Sequence, residues 1–204
     1  MKYQLTAEFQ TYWHIGTGRG SGQHLDALVE KDAQGLPYIP GKTIKGLFRD
    51  ALYKLDKWTQ QTHTELLFGV RTGSSEKDRT ETEPGLLRFS NVQLAEQAYL
   101  SQPENSQLIS HLFQTLASTA IDEKTGSAKD KSLRMTEVVV PAQLHGEITL
   151  LPPIEDTDFA KQQRQLLAQP DKIQQLLAQA ASLITHIGAN KNRGMGRVRL
   201  EVKA

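Results

Sequence analysis

Apolar and polar residues alternate at the start of the chain: Tyr3, Leu5, Ala7 and Phe9 fall at every second position, with Lys2, Gln4, Thr6 and Glu8 between them. Period two marks a strand buried on one face, so a first strand is predicted to begin near residue 2. The alternation returns at the far end through Val198, Leu200 and Val202. Between Lys42 and Lys57 the period changes. Ile44, Leu47, Phe48, Ala51, Leu52 and Leu55 recur at spacings of three and four, which puts them on one stripe of a helix. That helix can start only after Pro40, because a proline disfavours helical backbone in the residue before it. Further strands are predicted at 25–31, at 86–94, and at 137–151 as one long strand or a bent pair around Pro141. The segment 101–116 is weakly helical. Residues 159–187, rich in Gln, Leu and Ala and interrupted at Pro170, read as a short helix followed by a longer one from near Asp171.

Two stretches break these patterns. Residues 71–85 are nearly devoid of large apolar side chains and read as a mobile loop. Residues 118–136 are polar, with Gly126 among charges, and read as a projecting insertion. The order strand, helix, strand, insertion, strand, helix, strand predicts an α+β fold of the ferredoxin-like (RRM-like) plan, with two helices over one face of an antiparallel sheet and the other face open for a ligand. A single domain spanning 1–204 would carry the insertions near 71–85 and 118–136.

Composition sharpens this picture. With 24 Lys and Arg against 23 Asp and Glu, the net charge of +1 supplies no bulk basic field, so any nucleic-acid binding must come from local patches. Two exist. Lys42, Lys45, Arg49, Lys54 and Lys57 face only Asp50 and Asp56 in 41–57, a local excess of +3. Lys191, Arg193, Arg197, Arg199 and Lys203 face only Glu201 in 181–204, an excess of +4. The remainder therefore sums to −6. The absence of cysteine excludes disulfides, thiolate zinc sites and cysteine nucleophiles, and fits a reducing compartment, with cytoplasm the expected location. No stretch approaches the roughly 20 apolar residues of a membrane span, and the N-terminus lacks a signal-peptide pattern.

Gly41-Lys42-Thr43 at a helix start invites comparison with a phosphate-binding loop, but Leu36 stands where that motif needs its first glycine, and Pro37 and Pro40 remove cradling amides. The alternate glycines Gly16, Gly18, Gly20 and Gly22 precede no helix and lack a dinucleotide-binding context. Lys42, Lys45 and Arg49 lie at helical spacings beside a positive helix terminus, a flank suited either to phosphates or simply to solvent. In 188–197 glycines interleave with Lys191, Arg193 and Arg197, which would let the backbone approach a phosphate chain, while Gly188 is equally a natural helix cap. Asp26 follows the glycine loop, where a short strand would present it near whatever the loop holds; alone it reads as readily as a surface charge. The six histidines show no zinc-protease spacing.

Together, Ile15-Gly16 with its glycine loop, Leu25-Asp26-Ala27-Leu28-Val29, Gly35-Leu36-Pro37-Tyr38-Ile39-Pro40-Gly41, Lys45-Gly46-Leu47-Phe48-Arg49, Leu67-Phe68-Gly69, Gly85-Leu86-Leu87-Arg88-Phe89 and Arg193-Gly194-Met195-Gly196-Arg197 resemble the RAMP superfamily of CRISPR-associated proteins. They are most similar to the backbone subunits of type III effector complexes. The resemblance implies a ferredoxin-like palm with a helical insertion and a thumb hairpin at 118–136, copies of which stack along a guide RNA. It implies that Lys42, Lys45 and Arg49 grip guide phosphates, with Lys191, Arg193 and Arg197 lining the same groove. It also implies that Asp26 serves metal-dependent cleavage of guide-paired target RNA, with Mg²⁺ or another divalent cation at Asp26. Implied partners are guide RNA, target RNA, further copies of the chain, other RAMP subunits and the large signalling subunit. Two other readings stay open: a non-catalytic structural or capping subunit of such a complex, and a guide-processing endoribonuclease using His14 or His24 as general base.

Overall fold

In the computed structural model, which describes residues 1–18, 20, 25–70, 83–154 and 156–204, the alternating N-terminal segment forms strand β1 (Lys2–Phe9). It lies at the centre of an antiparallel sheet. A two-residue strand β2 (Tyr38–Ile39) leads through Pro40 into helix α1 (Gly41–Thr59), whose Ile44, Phe48 and Leu52 are fully buried. Burying side chains of this size contributes about 1.5–3 kcal/mol each. A short helix α2 (His63–Phe68) follows, its first turn held by the buried Asp56, which accepts hydrogen bonds from the Thr64 amide and hydroxyl, both at 2.6 Å.

The strand predicted at 86–94 is divided into β3 (Leu87–Phe89) and β4 (Val92–Leu94). Both pair with β7 (Gln143–Leu150), and the break lies at Ser90-Asn91. There the Ser90 hydroxyl accepts from the Glu147 amide (2.8 Å), while the Asn91 carboxamide leaves the sheet to accept from the Gly41 amide at the start of α1 (2.9 Å). Helix α3 (Gln97–Leu100) and a 3₁₀ segment (Pro103–Leu112) form the helical insertion. Strand β5 (Phe113–Ser118) then pairs with β6 (Arg134–Val139), so the polar segment predicted to project is the outer part of a hairpin separate from the main sheet. Pro141 interrupts the chain between β6 and β7, which makes 137–151 the bent pair. Helices α4 (Asp158–Leu167) and α5 (Pro170–Leu183) precede the last strand β8 (Val198–Lys203). Pro170 opens α5 at a position where no intrahelical amide bond is required.

The sheet order β2-β4-β7-β1-β8, antiparallel throughout, is the ferredoxin-like order with one extra edge strand. Tyr3, Leu5, Ala7 and Phe9 of β1, with Leu144, Ile148, Val198, Leu200 and Val202 of its neighbours, form the core under the helices. One expected strand is absent. Residues 25–31 make only isolated bridges, to Gly16, to Thr136 and to Pro37, because the segment turns successive groups toward three different neighbours instead of one. The loop expected at 71–85 lies outside the described residues from 71 to 82. Among the described residues, no helix is long and apolar enough to cross a membrane.

Candidate nucleic-acid interface

The structure gathers three of the sequence features around one short segment, residues 12–16. On one side of it stands the hairpin root. Trp13 and Val139 exchange backbone hydrogen bonds (3.1 and 2.8 Å), and the Trp13 indole, stacked on Phe9 at 4.5 Å, donates to the Val140 carbonyl (3.1 Å). His14 Nδ1 lies 2.6 Å from the Glu137 carbonyl oxygen. A carbonyl only accepts, so Nδ1 carries the proton. The ring is 4% exposed and packs on Gly16, where a Cβ would sit 2.7 Å from Nε2. His14 is thus a buried packing residue, which argues against its reading as an accessible general base. His24 lies outside the described residues.

The other arm of this hub is the segment bearing Asp26. Glu137 is buried, yet its carboxylate is fully engaged: Oε2 accepts from the Val29 amide (3.0 Å) and Oε1 from Lys31 Nζ (2.7 Å), which also lies 4.1 Å from the centre of the Phe113 ring. Only the acid of this pair is buried: the Lys31 side chain remains one-third exposed, so it is the Glu137 carboxylate that would be costly to leave without its partners. Two residues along β6, Asp26 and Met135 exchange hydrogen bonds: the Asp26 amide donates to the Met135 carbonyl (2.9 Å), and Asp26 Oδ2 accepts from the Met135 amide (2.7 Å). Asp26 is exposed, with Oδ1 outside this contact. Neither Glu137 nor Lys31 was singled out by sequence; an acidic residue directly before the apolar run Val138-Val139-Val140 was the available signal. No cluster of three metal-ligating acids or histidines occurs among the described residues. The donor set at Asp26, one carboxylate oxygen, fits only a cation whose remaining ligands come from water and from phosphate oxygens.

On the opposite side of residues 12–16 lies the C-terminal loop. The Ala189 amide donates to the His14 carbonyl (2.9 Å) and the Gly196 amide to the Tyr12 carbonyl (2.7 Å). Here the glycines have a packing cause that differs from the expected approach to phosphate. A Cβ at Gly188 would lie 2.3 Å from the His14 carbonyl oxygen, and one at Gly196 would lie 2.1 Å from that of Ile187. Only Gly194, with φ +78° and open space around it, leaves that expectation intact. Between Gly188 and Gly196, a 3₁₀ turn (Lys191–Arg193) holds Lys191 and Arg193 exposed, and Arg197 is exposed beyond it; none makes an ion pair with a described residue.

Lys42, Lys45 and Arg49 occupy a different place. Helical spacing puts them on one flank of α1, and the Arg49 guanidinium donates to the Gly69 carbonyl at the end of α2 (3.0 Å). Lys45 is half-buried; that burial, with the charge of Arg49 beside it, holds its ammonium below the ordinary lysine range. Neither cation pairs with a carboxylate among the described residues. Lys42 is exposed. The helix start itself has little left to offer an anion, since the Gly41 amide is taken by Asn91 and the Thr43 and Ile44 amides by the Pro40 carbonyl. The opposite flank of α1, which bears Lys54, looks onto Lys191-Asn192, so the helix separates Lys42, Lys45 and Arg49 from the C-terminal cluster.

The open sheet face differs from a base-stacking platform. In register across it stand Gln143, Glu8 and Arg199, then His145, Thr6 and Glu201, then Glu147, Gln4 and Lys203. Neither Phe, Tyr nor Trp is among them, and the one ring is the imidazole of His145. Their charges are met internally by Lys2–Glu147 at 2.8 Å and by Arg199 and Lys203, each 3.0 Å from Glu201, with the Glu147 and Glu201 carboxyls held below their ordinary range by these partners.

The model of the RAMP superfamily matches residues 6–199. Among solved structures, the fold is similar to a chain in the cryo-EM structure of the type III-B Cmr-beta bound to cognate target RNA, at 10% identity and TM-score 0.69, covering 99% of this chain and 97% of that one. It is also similar to a chain of the type III-B Cmr-beta in its apo state, at 12% identity and TM-score 0.63 with the same coverage. No sequence relative is found among curated proteins.

Proposed function

Because the chain belongs to the RAMP superfamily, we propose that it is a guide-RNA-binding backbone subunit of a type III effector complex and that Asp26 acts in cutting target RNA paired to the guide. The observation that carries the catalytic part is the attachment of Asp26 to the hairpin root. The Met135 amide fixes one carboxylate oxygen, which holds the acid at the root of the arm that would press into the RNA. Proximity of this kind supplies rate when the arm forces a ribose 2′-hydroxyl into line with the adjacent phosphorus. Asp26 would orient that hydroxyl or hold a divalent cation, which when bound supplies charge stabilisation at the phosphate. Lys42, Lys45 and Arg49 on one flank of α1, and Lys191, Arg193 and Arg197 on the C-terminal loop, would neutralise successive phosphates. Other RAMP subunits and the large signalling subunit would complete the assembly.

The absence, among the described residues, of any cluster of three metal-ligating acids or histidines favours one alternative, a structural or capping subunit that binds RNA without cutting it. Asp26→Asn separates the two, because Asn keeps an acceptor for the Met135 amide and removes the charge. In the assembled complex, target cleavage is expected to fall at least about 100-fold in Asp26→Asn, the scale of a lost positioned acid–base or charge-stabilising group, with guide retention unchanged. Undiminished cleavage assigns the structural role.

A further inference from the structure

The flank of α1 opposite Lys45 and Arg49 carries a groove of which the reading above uses only Lys191. Across a cavity of about 780 Å³, Lys54 and Trp58 face the end of α5 and the turn at Lys191-Asn192. The chain has two tryptophans, and they contrast: Trp13 is completely buried, whereas Trp58 is 70% exposed. Ala51 and Ile184 are buried at the cavity wall, so the groove has an apolar floor beneath a polar rim. On that rim Lys54 lies one helical turn before Trp58, and Lys191 lies on the opposite wall. Neither lysine pairs with an acid among the described residues, and Asp50 is the only carboxylate in the lining.

An exposed aromatic face flanked by unpaired cations in an open groove is the physical pattern of a single-stranded nucleic-acid site, where a base stacks on the ring and its phosphates meet the lysines. An apolar helix would cover Trp58 but leave two ammonium groups facing its surface without compensation. We propose that this groove takes a single-stranded stretch of RNA, with one base stacked on Trp58 and the neighbouring phosphates against Lys54 and Lys191. The proposal rests on the RNA-binding reading above and adds a contact on the side of α1 away from Lys45.

Trp58 is its own reporter. When the full chain is titrated with a single-stranded oligouridylate, indole emission is expected to fall, and quenching by acrylamide is expected to weaken in step with binding. Trp58→Ala should weaken binding about tenfold, a decade lying within the range for one stacked base, and Trp58→Phe should recover most of the loss. Lys191→Gln should lower the log-log salt slope by about 0.7. RNA bound at full affinity with Trp58 emission and acrylamide access unchanged overturns the groove and leaves the RNA-binding reading standing. Absence of any RNA binding by the wild-type chain overturns both. Displacement of the oligouridylate from Trp58 by a polyglutamate peptide at lower concentration would assign the groove to an acidic protein partner, and the proposal would fall.

Discussion

The two basic regions of this molecule have similar charge on paper and opposite physical states. At α1 two of the cations are drawn into the structure: Arg49 donates to the Gly69 carbonyl, and Lys45 is half-buried near it with its ammonium disfavoured. At the C-terminal loop, Lys191, Arg193 and Arg197 stand exposed on a turn whose conformation is set by glycines elsewhere in the same loop. An anion arriving at α1 relieves an existing electrostatic tension; one arriving at the loop merely exchanges water for phosphate. Similar local charges, +3 and +4, thus conceal one site with cations drawn partly inside and another left fully hydrated.

The contrast can be broken most severely through the loop's backbone. Gly196→Ala combines φ +71° with a Cβ placed 2.1 Å from the Ile187 carbonyl oxygen, and is expected to cost more than about 3 kcal/mol in urea unfolding. Gly194→Ala, at φ +78° in open space, should cost only about 1 kcal/mol. Next in size is Arg49→Met, which removes the bond to Gly69 and should lower stability by about 1 kcal/mol while also weakening RNA binding.

Lys45→Met sharpens the comparison, since stability and binding should move in opposite directions. RNA affinity drops, with the log-log salt slope reduced by about 0.7, while the melting temperature of the free chain rises by up to about 3 °C. The sign follows from the lowered lysine pKa: the folded state binds this proton less tightly than the unfolded state does, so as pH rises through the folded value toward the ordinary one the destabilisation is lost. Wild-type stability should therefore approach that of Lys45→Met at alkaline pH, as paired denaturation curves across that window would measure. The smallest effect belongs to Arg193→Gln, with the same 0.7 fall in slope on single-stranded RNA and a stability change within about 0.5 kcal/mol.

Much of the fold was legible wherever one periodicity dominated. The alternation in β1, the stripe of α1 and the proline-interrupted pair α4 and α5 all lie where local pattern and tertiary burial agree. What escaped was decided by distant partners. Strand 86–94 breaks because Asn91 reaches the amide of Gly41, fifty residues away in sequence. Residues 25–31 fail as a strand because β6, Gly16 and Pro37 each claim one position. Asp26 was legible as a residue following the glycine loop, but its tie to Met135 spans 109 residues and leaves no local trace. Trp58 had a signal that went unread, a large aromatic residue just beyond the last apolar position of the α1 stripe.

The segment Tyr12–Gly16 is hydrogen-bonded to the hairpin root through Trp13 and His14 and to the C-terminal loop through Tyr12 and His14. Mechanically this is a fulcrum. From the hairpin the line of contact runs through the Trp13–Val139 pair and across the His14 carbonyl to Ala189, at the start of the loop that bears Lys191 and Arg193. The hairpin and the basic turn therefore share one backbone support, so that displacing either one bears on the hydrogen bonds that hold the other.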